Sequence, residues 1–228
     1  MRTISMRFSI KQILKIVLKP FRPYGRRLFE AHEVLLEEMP DAPELFKHYR
    51  MLLETGHKRV PGGWLYENEF YPDYITVGGN SFAIQRTAKK YCSGKGLDIG
   101  ANYWPFPGST PIDTERGPGL KNRIGDIPSG SQDYVFSSHC LEHIEQWRDA
   151  LSLWSSKLKI GGVLFLYLPH PSCKLWHRSN PLMSDTHKWV PEPTVLASAL
   201  ESLNFTVIDR DDGPDSFYSF FVCGKKNR

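Results

Sequence analysis

Within residues 96–115, GLDIGANYWPFPGSTPIDTE, acids and glycines stand at spacings that could hold a nucleotide-like ligand. Asp98 and Gly100 lie in GLDIGA, whose apolar residues predict a buried strand leaving into a loop. A glycine at that exit lets a ligand approach the backbone. Asp113, fifteen residues after Asp98, ends the short strand TPIDT, where an acid can accept both hydroxyls of a ribose. Gly125-Asp126-Ile127 sets a carboxylate beside an apolar side chain, which suits the amino group and ring face of an adenine. Each of these residues alone also reads as a turn glycine or a solvated acid.

Three histidines could move a proton, since imidazole titrates near pH 6.5. His139 follows the strand QDYVFSSH, His170 lies in PHP after GGVLFLYLP, and His187 lies in SDTHKW, two residues from Asp185. His139 is the first choice as base; a hydrogen-bonded structural role is open to all three. His143 follows His139 by four residues, and His177 follows Cys173 by four, but neither pair has a second pair to complete a ligand set. No metal is expected, and His143 reads as structural.

The elements that position these residues alternate between strand and helix from residue 80 onward. Helices are expected at 80–92, 141–158 and 191–203, and strands at 96–101, 110–114, 132–139, 161–169, 205–211 and 216–224. Such alternation predicts an α/β fold with a doubly wound, mostly parallel sheet. DGPD joins the last two strands with no room for a crossover helix, so that pair is expected to be antiparallel. The polar segment 170–190 is long for a plain connection. It reads either as a substrate lid, with Lys174, Trp176, Arg178 and Trp189 facing a sugar ring or an anion, or as a surface loop packed by its two tryptophans.

Residues 1–79 read as a helical extension to a domain spanning 80–228. Helices are expected at 6–19, 25–38 and 43–55, and a loop at 60–79, rich in Gly, Pro and Tyr. The helix at 6–19 is amphipathic, with Lys and Arg repeating every four residues. Residues 1–27 hold eight basic residues and no acid, which leaves 21 basic and 25 acidic residues for the rest of the chain. A basic head on a mildly acidic body argues against a nucleic-acid-binding body. The head itself reads as a peripheral contact with an anionic membrane, as a helix docked on the domain, or as a nucleic-acid arm. No apolar run approaches the roughly 20 residues that span a bilayer, and no cleavage signal follows the short run at 16–18. The four cysteines lack a CxxC pair and suit a reducing compartment. A cytoplasmic protein is expected.

GLDIGA, the acid in PIDTE, GDI, and DYVFSSHCLEHI followed by LKIGGVLFLYLP resemble the successive motifs of the class I S-adenosylmethionine-dependent methyltransferases. The resemblance covers about residues 80–226 and is similar in detail to the bacterial type 11 methyltransferases associated with surface glycans. It implies a Rossmann-like fold and S-adenosyl-L-methionine as cofactor. Asp98 would orient the loop and the amino-acid moiety, with Gly100 and Ala101 lying against it. Asp113 would hold the ribose, and Asp126 with Ile127 the adenine. Ser138 and His139 would lie under the methionine portion and the reacting methyl, and Glu142-His143 match a recurring helix start. Asn102 and Trp104 stand where the family loop carries further glycines, and Asn102 is counted with the cofactor contacts. The space before the second strand is too short for a crossover helix, so Trp104–Gly108 are expected to form a rigid turn instead.

A nicotinamide dehydrogenase fits less well, because Gly94 and Gly96 precede Asp98 and its glycine fingerprint must follow the strand. The expected reaction is methyl transfer to an oxygen, on a small molecule or on a sugar or glycolipid precursor of a cell-surface glycan. The alternatives are a small-molecule N- or C-methyltransferase and a non-catalytic, membrane-docked scaffold.

Overall fold

The computed structural model describes residues 56–72, 80–115, 117–180 and 183–227. The helices expected at 6–19, 25–38 and 43–55, and the membrane-facing head, lie outside the described residues. The chain divides into two compact units, Met1–Val77 and Gly78–Arg228.

In the first unit, part of the stretch expected as a loop is a three-stranded antiparallel sheet: β1 (Lys58–Val60), β2 (Gly63–Tyr66) and β3 (Glu69–Pro72). Its Gly and Tyr content marks hairpin turns and strands rather than irregular chain. Gly62 (φ 82°), and Glu67 (φ 48°) with Asn68 (φ 66°), supply the left-handed backbone that the two tight turns require. Residues 73–79 of the expected loop lie outside the described residues.

The second unit is built on six strands, β4 (Gly96–Ile99), β5 (Thr110–Ile112), β6 (Gln132–Ser138), β7 (Leu158–Pro169), β8 (Phe205–Asp211) and β9 (Ser219–Lys226), in the order β5-β4-β6-β7-β9-β8. β5, β4, β6 and β7 are parallel, and β9 runs antiparallel to both β7 and β8. This is a Rossmann-like, mostly parallel sheet with an antiparallel last strand. The side-chain period of two divides the core between its faces. Leu97, Ile99, Val135, Leu164, Leu166, Phe220 and Val222 point to one face, where they meet α2 (Trp147–Lys157) and α3 (Pro193–Ser202) through Leu151, Trp154, Leu196 and Leu200. Phe136, Phe165, Tyr167, Phe221 and Cys223 point to the other, where α1 (Asn80–Ala88) packs Ile84 and Ala88.

Of the boundaries that differ from expectation, β9 starts three residues later and ends two later than the strand expected at 216–224, and three others have a visible cause. α1 ends at Ala88, because Tyr91 and Cys92 turn back onto the Ala88 carbonyl. The helix expected at 141–158 is a 3-10 turn (Leu141–His143) followed by α2. The carbonyls of Leu141 and Glu142 accept from Trp189 Nε1 (2.9 Å) and the Lys188 amide (2.8 Å), so they do not accept the amides four residues on. β7 starts at Leu158 rather than Gly161, since the Gly-Gly pair forms a bulge inside the strand and not a turn before it.

Candidate functional site

From β4 the chain turns outward to β5 and then returns to the other side of β4 as β6. The carboxyl ends of these three strands therefore surround the point where strand order reverses, and ligands bind at such points in open α/β sheets.

Asp98, the third residue of β4, is 2% exposed and accepts the Phe106 amide at 2.7 Å. Burial, opposed in part by that hydrogen bond, pushes its carboxyl up to about 7. Phe106 is 3% exposed and stacks on Phe136 with ring centroids 4.6 Å apart. The turn Trp104–Gly108 therefore inserts its aromatic residue into the core and ties its backbone to the strand it has just left. A crossover helix is replaced by one buried ring and one buried carboxylate.

Gly100 has φ 81°, and a Cβ there would land on Cys140 Cβ and lie 2.7 Å from its Sγ. Only glycine fits. Its amide donates to the Ile112 carbonyl at 2.9 Å, which joins the loop to β5. Ala101 is buried, and Asn102 takes φ 48°. Asp113, just past β5, accepts the Asn102 amide on one oxygen and the Glu115 amide on the other, both at 2.8 Å. Gly100 and Ala101, through the Ile112 carbonyl, and Asn102, through the Asp113 carboxylate, are thus brought together at the end of β5. Gly117 and Gly119, which the sequence reading passed over, press on this loop, for a Cβ would strike the Asn102 carbonyl from one and the Asp113 amide from the other. The signal for them was present as two glycines in GPGL.

Asp126 is exposed in the 3-10 turn Ile124–Asp126, and Ile127 packs against the core while its carbonyl accepts Lys157 Nζ at 2.9 Å. The hydroxyl of Ser138 is buried without a hydrogen-bond partner.

The histidines separate into two environments. His139 has φ 48°, a conformation rare for a non-glycine residue and often found at functional sites. Ser219 Oγ donates to the Phe217 carbonyl at 3.0 Å, so it accepts from His139 Nε2 at 2.9 Å. Asn80 Nδ2 lies 3.2 Å from Nδ1 and 3.3 Å from Nε2, and Glu142 Oε1 lies 3.6 Å from Nδ1. Burial, reinforced by the nearby His187 and His143, holds the His139 imidazole down at about 3. His187 is buried beside His143, and burial lowers it likewise to about 3. His170 has a hydroxyl partner of its own: its Nδ1 meets Ser172 Oγ at 2.7 Å, and partial burial lowers its pKa.

Segment 170–190 is fastened to the 141–143 turn by Lys188, Trp189 and Thr186, and Trp189 stacks on Trp147 at 4.2 Å. Within this segment, beside the end of β7, lies a small cleft lined by His170, Trp176, Arg178, His187 and Trp189.

No family model matches the sequence, and no curated protein matches it. Among solved structures, a SAM-dependent methyltransferase from Archaeoglobus fulgidus is 19% identical over 64% of this chain and 93% of its own, with a TM-score of 0.49. A second, from Mesorhizobium loti, is 13% identical over 65% and 99%, with a TM-score of 0.48. The 1,6-didemethyltoxoflavin-N1-methyltransferase of Burkholderia thailandensis, with bound S-adenosylhomocysteine, is 11% identical over 92% of each chain, with a TM-score of 0.49. At such identities and TM-scores these likenesses carry nothing about the reaction or the acceptor.

Proposed function

We propose that the chain binds S-adenosyl-L-methionine at the ends of β4, β5 and β6 and transfers its methyl group to an oxygen. The acceptor is a small molecule, or a sugar or glycolipid precursor of a cell-surface glycan. The observation that carries this reading is the Asp113 carboxylate at the switch point, held by main-chain amides opposite a loop in which only glycine fits at position 100. A carboxylate so fixed can accept the two hydroxyls of a ribose. Asp98 keeps the loop closed through Phe106, and Ala101 and Asn102 line it. Asp126 and Ile127 supply the polar and apolar contacts for the adenine, and Ser138 faces the methionine portion.

The cofactor, when bound, supplies a methyl group on a sulfonium centre. The protein's part is to align an acceptor hydroxyl in line with it and to take the hydroxyl's proton. His139 Nδ1 is the atom proposed for the proton, with Nε2 fixed by Ser219. His170 and His187 line the acceptor cleft with Trp176 and Trp189, whose faces suit a sugar ring. The reading places the protein in the cytoplasm, held peripherally at the inner membrane face by residues 1–27.

The test is incubation of the full chain with methyl-labelled cofactor and a lipid-linked glycan extract, followed by mass spectrometry. The expected result is label on a glycan or small-molecule oxygen. Label on nitrogen or carbon would remove the oxygen acceptor, and cofactor binding with no turnover on any acceptor would favour a scaffold.

A further inference from the structure

Glu142 is 0% exposed, and neither of its carboxylate oxygens has a hydrogen-bond partner. A buried carboxylate without a hydrogen-bond partner is costly, and the side-chain groups nearest to it are histidine ring nitrogens. His143 Nδ1 meets the Thr186 carbonyl at 3.1 Å and must donate to it, so Nε2 is left with its lone pair, 3.9 Å from Glu142 Oε1. The His187 ring lies against that of His143, with centroids 4.7 Å apart. One ligand atom from each of Glu142, His143 and His187 lies within 4.8 Å of the others. Three such ligand atoms, converging on a buried carboxylate that lacks a hydrogen-bond partner, can hold a cation.

We propose that Glu142, His143 and His187 bind one divalent first-row transition-metal ion at the edge of the cleft. Two imidazoles and one carboxylate suit an ion of the zinc class better than magnesium or calcium, which prefer all-oxygen sites. Bonds of about 2.1 Å put tetrahedral ligand atoms roughly 3.4 Å apart, so the cluster needs side-chain shifts on the order of an ångström to close. His143 already donates its other ring nitrogen to the Thr186 carbonyl, which fixes tautomer and ring orientation as the outer partner of a metal site does. His143 is 43% exposed and offers the ion a way in from solvent. The spacing of His139 and His143 in sequence suggested a different pair on one helix face. The 3-10 turn breaks that face and brings His187 from segment 170–190 in its place. Three protein ligands leave coordination open, as in sites that take a substrate oxygen. That the ion takes the acceptor's hydroxyl rests on the proposed methyl transfer, whereas ion binding does not.

The experiment uses the untagged full chain, stripped with chelator and titrated with Zn2+ by calorimetry and with Co2+ by visible absorption. One saturable equivalent, with ligand-field bands for Co2+, is expected. Outer partners alone change metal affinity 10–100-fold, so His143→Asn and Glu142→Gln are each expected to weaken binding at least about tenfold. Circular dichroism checks folding, and His143→Asn, at a partly exposed position, serves if the buried Glu142→Gln does not fold. No saturable binding, equal binding by His143→Asn, or Mg2+ binding as tight as Zn2+ would overturn the proposal. Titrating the same stripped protein with S-adenosylmethionine separates the two claims. Ion binding without cofactor binding removes the proposed function alone, and cofactor binding without ion binding removes the metal site alone.

Discussion

The Phe106 amide donates to the Asp98 carboxylate at 2.7 Å, across eight residues that contain no helix. That bond, with the Phe106 ring stacked on Phe136, closes the β4–β5 connection in a fold where a helix would otherwise cover the sheet.

The Asp98 bond has a pH signature. Burial holds the carboxyl at about 7, whereas in an unfolded chain it titrates near 3.9. Between those values the folded state retains a proton that the unfolded state has lost. This group's stabilisation is therefore full below about pH 4, falls as pH rises to about 7, and is level above. Asp98→Asn keeps an acceptor for Phe106 and removes the titration. Denaturant midpoints measured from pH 5 to 8 should show the variant gaining on the wild type as pH rises. Parallel curves would contradict the assignment.

Gly100→Ala forces a side chain into φ 81° and onto Cys140, and a loss of about 1–3 kcal/mol or more is expected by chemical denaturation. Gly125→Ala meets nothing within 4 Å and should stay within about 0.5 kcal/mol. Equal effects of the two substitutions would show that Gly100 is not held as described.

Much of the second unit was legible in the sequence because its strands are continuous apolar runs and its helices carry the helical period. Leu97, Ile99, Phe136 and Phe165 needed no long-range information. The first-unit sheet was missed because β1–β3 are three or four residues long and carry the Gly and Tyr content that also marks loops. The break after His143 was missed because its cause lies 45 residues away, in the donors Lys188 and Trp189. Of the site, Asp98, Gly100 and Asp113 were readable as strand-end residues, but what each one holds was not. The amide partners of Asp98 and Asp113, and the pressure of Gly117 on Asn102, are contacts that no local pattern records. Glu142 read only as a helix-start residue, and its burial beside three histidines emerges from the fold.

His139→Ala is expected to lower turnover at least about a hundredfold, the low end for a general base, with cofactor affinity little changed. Steady-state kinetics beside calorimetry checks this. If only His170 or His187 substitutions act so, His139 is not the base, and if none does, the result counts against an oxygen acceptor.

The basic head is expected to bring the chain to anionic vesicles in a salt-sensitive way. Each basic residue near such a surface contributes about 1 kcal/mol, and apolar side chains entering the interface add to it. Co-sedimentation of the full chain and of a version starting near Arg27, at low and high salt, decides between docking modes. Equal behaviour of the two would remove the membrane contact.

The central claim is that the Asp113 carboxylate holds the cofactor's ribose. Isothermal calorimetry with S-adenosylmethionine and S-adenosylhomocysteine, on wild type and Asp113→Ala, tests it directly. Losing a charged hydrogen-bond partner costs about 1.5–3 kcal/mol. Saturable wild-type binding, weakened at least about tenfold in a variant that circular dichroism shows to be folded, is the predicted result. Equal binding by the two proteins would remove Asp113 from the site, and no binding by the wild type would contradict the account as a whole.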